Sequence, residues 1–160
     1  MKEEGSSEGR YTGRAPQGAL SLARAFLIGA GMALAWGALS GILHLDRLFP
    51  DAAGEQLFSR PLSVQIALYG FVSPLLEEIL FRKILFDLVR RILPERGSAL
   101  IVSALFAIWH WNVIQALYAF PAGLILQWLR YESGRMEEPV CCHIGANLTS
   151  ILVTVVWTCT

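Results

Sequence analysis

The chain has 160 residues, enough for one domain, and combines 54% hydrophobic residues with only 16% charged residues. Soluble domains carry about 25% charged residues, so this composition indicates contact with lipid. The formal net charge is zero, so nothing in the charge indicates binding to nucleic acid. The three cysteines, Cys141, Cys142 and Cys159, form neither a disulfide framework nor a Cys-x-x-Cys metal pair.

Two regions of different composition divide the chain. Residues 1–18 are rich in Gly, Ser, Glu and Arg and contain no apolar run, which predicts a disordered cytosolic tail. Residues 19–160 predict a single membrane domain. Its first apolar stretch is too long for a signal peptide and lacks a small-residue cleavage site, so it predicts a membrane anchor.

Five apolar segments predict an all-α, polytopic transmembrane helical bundle. The first segment is close to the ~20 residues that cross a bilayer, whereas the third is short for a full crossing. Four glycines on the first helix favour close packing against a neighbouring helix; they are Gly29, Gly31, Gly37 and Gly41. The predicted helices span residues 25–45, 62–93, 98–111, 113–131 and 140–157.

The basic residues predict the orientation of the bundle, because cytoplasmic loops carry an excess of Lys and Arg. Eleven of them fall on the side of the N-terminus and two, Arg47 and Arg60, on the other. The bias predicts five crossings with the N-terminus in the cytosol. The eleven are Lys2, Arg10, Arg14, Arg24, Arg82, Lys83, Arg90, Arg91, Arg96, Arg130 and Arg135.

Charged and polar residues interrupt three of the predicted helices. A charged residue costs about 2.5–3.5 kcal/mol near the centre of a membrane helix, so ionisable residues in such a helix usually mark a function. Because they lie on three different helices, a bundle can gather them around one polar cavity. They are Glu77, Glu78 and Arg82 on the second helix, His110 on the third, and His143 and Asn147 on the fifth.

The spacing on the second helix assigns different tasks to its two acids. Glu78 and Arg82 are four residues apart and can form an ion pair on one face. Glu77 points about 100° away from Glu78 and is available for another role. Taken alone, a Glu–Arg pair of this spacing is more often a solvated helix face, but apolar residues surround this one.

Spacings of four residues recur on the other two helices. His143 and Asn147 present two polar tips from one face, and Phe106 can pack beneath the ring of His110. Each feature also has a purely structural interpretation: a lone histidine is often a satisfied structural group, and a His–Asn pair can serve helix–helix hydrogen bonding. Their coincidence with the acids favours a site.

Three motifs in this order resemble those of the CPBP family of intramembrane proteases, which includes the CAAX prenyl endopeptidases and bacterial Abi-type proteins. The stretch 122–134 also resembles the segment before the family's third motif. The resemblance covers residues 62–156 and implies a helical membrane bundle that hydrolyses peptide bonds of membrane-associated substrates. The motifs are Glu77-Glu78-x-x-x-Arg82, Phe106-x-x-x-His110 and His143-x-x-x-Asn147.

The resemblance also implies roles for the motif residues. Glu77 would be the general base that activates a water, and His110 would help to hold that water. A carboxylate in a pocket of low dielectric is a suitable base near neutral pH. The oxyanion of the tetrahedral intermediate would be stabilised by His143 and Asn147, and the site would be braced, or substrate contacted, by Glu78 and Arg82.

Other functions stay open beside a glutamate-type peptidase without a cofactor. Glu77, His110 and His143 also form a His₂Glu set of the kind that holds catalytic zinc, although no His-Glu-x-x-His motif is present. A non-catalytic immunity or scaffold protein can keep the same fold. A transporter or proton channel is disfavoured by the small number of helices and the lack of a repeat.

The expected partners are the lipid bilayer and a membrane-associated protein or peptide substrate, with no nucleic acid. Prenylated substrates and C-terminal sorting tails both fit the resemblance. Assembly into a homo-oligomer is left open. The predicted location is the plasma membrane of a prokaryote.

Overall fold

Five helices and no strand make up the part of the chain described by the structure, a computed structural model covering residues 18–45 and 59–159, with side chains to residue 157. The all-α prediction is therefore confirmed. Nearly all of the predicted tail, and residues 46–58 of the first connection, lie outside the described ranges. The helices are α1 Gly18–Leu43, α2 Leu62–Val89, α3 Glu95–Trp109, α4 Val113–Ser133 and α5 Glu137–Cys159.

Three of these helices are long and apolar enough to cross a membrane: α1, α2 and the segment Glu137–Trp157 of α5. Helix α3 has 15 residues, about 22 Å at 1.5 Å per residue, which is shorter than a ~30 Å hydrocarbon core. The short third helix was expected. Spans of this kind indicate an integral membrane protein, while the side that faces the cytosol stays a prediction.

The ends of the inner helices follow from local chemistry. Helix α3 begins after Pro94, which has extended backbone angles and cannot continue a preceding helix. Helix α4 begins at an Asn112 cap, whose side chain accepts a hydrogen bond from the Gln115 N–H at 3.1 Å. It ends at Gly134, which adopts the left-handed conformation and donates its N–H to the Arg130 carbonyl.

Helices α1 and α5 are in backbone contact through glycine. A Cβ on Gly29 of α1 would overlap the Cys142 carbonyl, and one on Gly145 of α5 would overlap the Phe26 carbonyl. The predicted close packing is confirmed for Gly29 alone of the four glycines of α1. A Cβ on any of the others would meet no described atom within 4 Å; they are Gly31, Gly37 and Gly41.

Helices α2, α3 and α4 enclose the main apolar core. Phe81 and Phe106 meet edge to face, with ring centroids 5.1 Å apart. Gly123 of α4 lets Ser103 of α3 approach, since a Cβ there would lie 3.1 Å from the Ser103 side chain. The other large buried core residues of these helices are Phe86, Val102, Leu126 and Leu129.

Helix α2 does not keep one hydrogen-bond register. Two π-helical segments, Gln65–Val72 and Ile79–Leu85, flank the α-helical turn Ser73–Glu78. At the ends of the π segments, the N–H of Ser73 donates to Leu68 and that of Phe86 to Phe81, five residues back in each case. Such segments are rare and frequently lie at functional sites. Here they bracket the turn that carries the two acids.

Candidate active site

The two acids of α2 differ in their surroundings. They occupy the last two positions of the turn Ser73–Glu78, with Pro74 near its first position. The Glu78 side chain is fully buried, whereas that of Glu77 is 16% exposed. The predicted division of labour between neighbouring acids therefore corresponds to a real difference in environment.

Arg82 forms the predicted ion pair with Glu78. Its Nε lies 3.2 Å from Glu78 Oε2, and its side chain is only 1% exposed. It also donates to the Gly123 carbonyl at 3.3 Å, and its guanidinium stacks 4.2 Å from the centre of the Phe106 ring. A buried cation with these contacts acts inside the bundle, so Arg82 is not one of the loop charges that report orientation.

His143 of α5 lies between the two acids. Its Nδ1 is 2.9 Å from Glu78 Oε1, and its Nε2 is 3.7 Å from Glu77 Oε2. An ionised carboxylate only accepts hydrogen bonds, so Nδ1 carries the hydrogen and donates a hydrogen bond to Glu78. This bond fixes the plane of the ring and directs Nε2 towards Glu77. The structure thus brings the first and third motifs together.

One oxygen of Glu77 is engaged and the other is not. Oε1 accepts a hydrogen bond from the hydroxyl of Ser73, one turn earlier. Oε2 is buried and has no hydrogen-bond partner among the described residues. A buried polar oxygen of this kind requires an explanation in a native site, and a bound water or substrate group supplies one.

His110 lies at the end of α3, as predicted, on the edge of Phe106. Its Nδ1 is 2.8 Å from the Phe106 carbonyl, so this nitrogen is the donor and Nε2 is the acceptor in the neutral ring. The two rings meet at 86° with centroids 4.9 Å apart, which confirms the predicted packing of Phe106 beneath His110. The same Phe106 ring contacts His143, with centroids 5.7 Å apart.

Asn147 of α5 contacts the backbone of α2. Its side-chain Nδ2 donates to the Tyr69 carbonyl at 2.8 Å. The amide group has two hydrogens, so a second one is available for another acceptor. His143 and Asn147 therefore face α2 together, as their spacing predicts, but at different points along that helix.

A cavity of about 40 Å³ lies between α1, α3, α4 and α5, enough for at least one water molecule. Three predicted site residues line it: His110, His143 and Asn147. Neither acid of α2 is part of the wall, but Glu77 Oε2 lies 3.7 Å from the Nε2 of His143, which is part of it. The rest of the wall is mostly apolar and consists of Met32, Phe106, Tyr118, Ala119, Ala122, Leu126, Cys142 and Ala146.

A metal-binding arrangement is not evident in the described part of the chain. There, no three His, Cys, Asp or Glu side chains lie together in a way that would hold an ion. Both ring nitrogens of His143 face carboxylates, and the Nδ1 of His110 faces a backbone carbonyl. The His₂Glu set suggested by the sequence therefore does not form an ion-binding group in the described part of the chain.

Three side chains near the site were not predicted from the sequence. Ser73 holds Glu77, and its signal was its position four residues before an acid. Tyr118 lines the cavity, and its buried hydroxyl has no partner among the described residues. Arg130 donates to the carbonyl of Arg82 but was interpreted only as a charge that reports orientation.

The comparison with known families matches residues 59–149 to the family model described as Type II CAAX prenyl endopeptidase Rce1-like. The match covers more than half of the chain and includes every predicted site residue. It confirms the resemblance stated from the three motifs. No curated protein and no solved structure matches the chain.

Proposed function

Because the chain belongs to the Rce1-like family of type II CAAX prenyl endopeptidases, we propose that it is an intramembrane glutamate-type endopeptidase. Its substrate is a protein or peptide anchored in the same membrane, cut close to the anchor. A family of peptidases and three membrane-spanning helices support this class of activity. The mechanism rests on the arrangement of Glu77, Glu78 and His143.

The observation that carries the proposal is the histidine held between two carboxylates at the wall of a cavity. Glu78 orients the ring of His143 through the Nδ1 atom, and Arg82 holds Glu78 in place through the ion pair. Glu77 offers one unpartnered oxygen beside its Nε2. A water placed against both groups is close to a base and to the cavity in which a peptide carbonyl would sit.

In the proposed reaction, Glu77 removes a proton from this water while the water oxygen attacks the carbonyl carbon of the peptide bond. The Nε2 of His110 accepts a hydrogen bond from the second water hydrogen and so directs the attack. When the tetrahedral intermediate collapses, the C–N bond breaks. The proton held by Glu77 passes to the departing nitrogen, which restores the carboxylate.

The negative oxygen of the intermediate needs donors that are already in place. His143 supplies one when its Nε2 is protonated as well as its Nδ1, and Asn147 supplies another through the amide hydrogen that Tyr69 does not use. Donors fixed in this way are worth about 10²–10³ in rate each in other hydrolases. Glu78 and Arg82 keep His143 in place and have no direct contact with substrate in this scheme.

The family and the lining of the cavity support the proposed class of substrate. The family's description specifies a prenyl endopeptidase, and the cavity wall offers mostly apolar side chains, such as Met32 and Leu126. An apolar wall favours apolar groups beside the peptide bond that is cut, and both a lipidated peptide and a peptide with an apolar sorting tail carry such groups. The assay must therefore include both kinds of peptide.

The test uses the whole chain in lipid nanodiscs with fluorogenic peptides, one farnesylated at a C-terminal Cys-aliphatic-aliphatic-X sequence and one with an apolar helical tail. Wild type is compared with Glu77→Gln and with Glu132→Gln, an exposed acid at the end of α4. We expect cleavage by the Glu77 variant to fall about 10²–10⁴-fold, as for loss of a general base. The Glu132 variant should remain within about twofold of wild type.

A chelator and a zinc add-back separate the remaining mechanisms. Full activity of the wild type in chelator supports the glutamate mechanism, whereas loss that zinc restores assigns a metallopeptidase. Cleavage by Glu77→Gln at the wild-type rate refutes Glu77 as the base. Failure of the wild type on every peptide, with its biological effect retained in Glu77→Gln, supports a non-catalytic role.

A further inference from the structure

A return from π to α register leaves one backbone carbonyl without a main-chain donor. In a π segment each N–H donates to the carbonyl five residues back, and in an α-helix to the one four residues back. At the point where the spacing between donor and acceptor changes from five residues to four, the next N–H is one residue further along the chain. The carbonyl that it bonds is two residues further along, so the carbonyl in between is skipped. Helix α2 makes this return twice, once at the start of the α-helical segment Ser73–Glu78 and once at the start of the α-helical segment Phe86–Val89.

The first carbonyl left over belongs to Tyr69. The last π bond of the first segment runs from the Ser73 N–H to Leu68, so the next donor in this register would be residue 74. That residue is Pro74, which has no N–H. Asn147 supplies the missing donor from α5, with its Nδ2 2.8 Å from the Tyr69 carbonyl.

The second carbonyl left over belongs to Arg82. The last π bond of the second segment runs from the Phe86 N–H to Phe81, and the Arg90 N–H then donates to Phe86 in α register. The π segment ends with the Phe86 bond, so the next π bond, from residue 87 to the carbonyl of Arg82, is not made and this carbonyl is passed over. Arg130 of α4 donates to it through its guanidinium, which also lies 3.6 Å from Asp87.

We propose that Arg130, as a positioning residue, and Asn147, in addition to its contact with the oxyanion, hold α2 in its mixed register by capping the carbonyls of Arg82 and Tyr69. The two caps come from different helices and lie on opposite sides of Glu77 and Glu78. A buried carbonyl without a donor favours a shift to a register that satisfies it. Each cap supplies the missing donor, so the change of register is no longer favoured. Glu77 and Glu78 therefore stay on the side of α2 that faces α5.

The consequence for catalysis rests on the proposed function. A shift of α2 by one hydrogen-bond step turns the following residues by about 100°, which would separate Glu78 from the Nδ1 of His143. Small misplacements of catalytic groups reduce turnover more than binding. Loss of a cap is therefore expected to lower kcat and leave KM nearly unchanged.

The test compares Arg130→Met, which removes the donors, with Arg130→Lys, which keeps one, and with Arg135→Met. Arg135 is the matched control because it is exposed and pairs only with Glu137 among the described side chains. Hydrogen exchange of the amides of residues 83–90 is measured in nanodiscs, beside kcat and KM on the peptide cleaved by wild type. We expect Arg130→Met to exchange about tenfold faster and to lose about tenfold in kcat.

Arg130→Lys should recover most of both losses, and Arg135→Met should match wild type within about twofold. Unchanged exchange in Arg130→Met overturns the cap whether or not any peptide is cleaved. Faster exchange with an unchanged kcat per folded molecule overturns the positioning role and leaves the proposed function intact. If wild type cleaves no peptide, the exchange data alone still decide for or against the cap.

Discussion

The two sides of α5 meet their neighbours in opposite ways. Towards α1, Gly145 and Gly29 allow the two backbones to touch, and the contact depends on the absence of a side chain. Towards α2, His143 and Asn147 make directed hydrogen bonds of 2.9 and 2.8 Å. The first contact tolerates no added volume, and the second tolerates no lost donor. One helix can thus be anchored on one side and aligned for chemistry on the other.

The largest effect is expected when the backbone contact between α1 and α5 is disrupted. Gly29→Val should lower the free energy of unfolding by about 5 kcal/mol or more, because the overlap with the Cys142 carbonyl involves backbone that cannot rotate away. Gly31→Val is the control on the same helix, since a Cβ there meets no described atom within 4 Å. Thermal unfolding in detergent measures both, and equal shifts for the two variants would contradict the assigned contact.

The second largest effect is expected on the α2 side, where a substitution removes the cation that pairs with Glu78 and leaves only its hydrogen bond with His143. Arg82→Leu strands the fully buried carboxylate of Glu78 and should destabilise the protein by about 3–5 kcal/mol. Adding Glu78→Gln to that variant removes the stranded charge, so the double variant should be more stable than Arg82→Leu alone. Unfolding in denaturant tests this, and strict additivity of the two changes would show that the ion pair is not coupled.

The smallest effect is expected for a single hydrogen bond, the one from the side chain of Asn147 to the carbonyl of Tyr69. Asn147→Ala should cost about 1–2 kcal/mol, because it leaves the Tyr69 carbonyl without a donor. Pro74→Ala restores a backbone N–H beside that carbonyl. The same Asn147 change should then cost about 1 kcal/mol less in the Pro74→Ala background. Unfolding is measured for wild type, for each single variant and for the double variant, and the four free energies give the coupling energy between Pro74 and Asn147. A coupling energy of zero would refute the link between the proline and the amide.

Much of the fold could be predicted because hydropathy and charge act along one chain segment at a time. The start of the fourth helix at residue 113 and a break between the second and third helices near Pro94 were predicted correctly, although α2 ends at Val89 and not at residue 93. The i, i+4 pairs were likewise predictable, since Glu78–Arg82 and Phe106–His110 lie within one helix each. Gathering Glu78 and His143 required only that a bundle exclude polar groups from lipid.

What the sequence did not reveal depends on contacts between helices. Four glycines of α1 look alike in sequence, but only Gly29 meets α5, because rotation about the helix axis is set by the partner. The π segments change no residue type and leave the apolar pattern of α2 intact. Arg130 carries the same charge as the loop arginines, and only its distance from α2 separates it from them. Pro74 within an apolar helix was the one local signal of an irregular register.

The order of synthesis gives the Glu78–Arg82 pair a second consequence. Glu78 finds its cation four residues away on its own helix, whereas its histidine partner is 65 residues further along the chain. Helix α2 is therefore complete and leaving the ribosome well before His143 exists. If its only partner were His143, the carboxylate of Glu78 would enter the bilayer without a neighbouring positive charge. With Arg82 one turn away, the newly made helix carries its own neutralising group until α5 arrives.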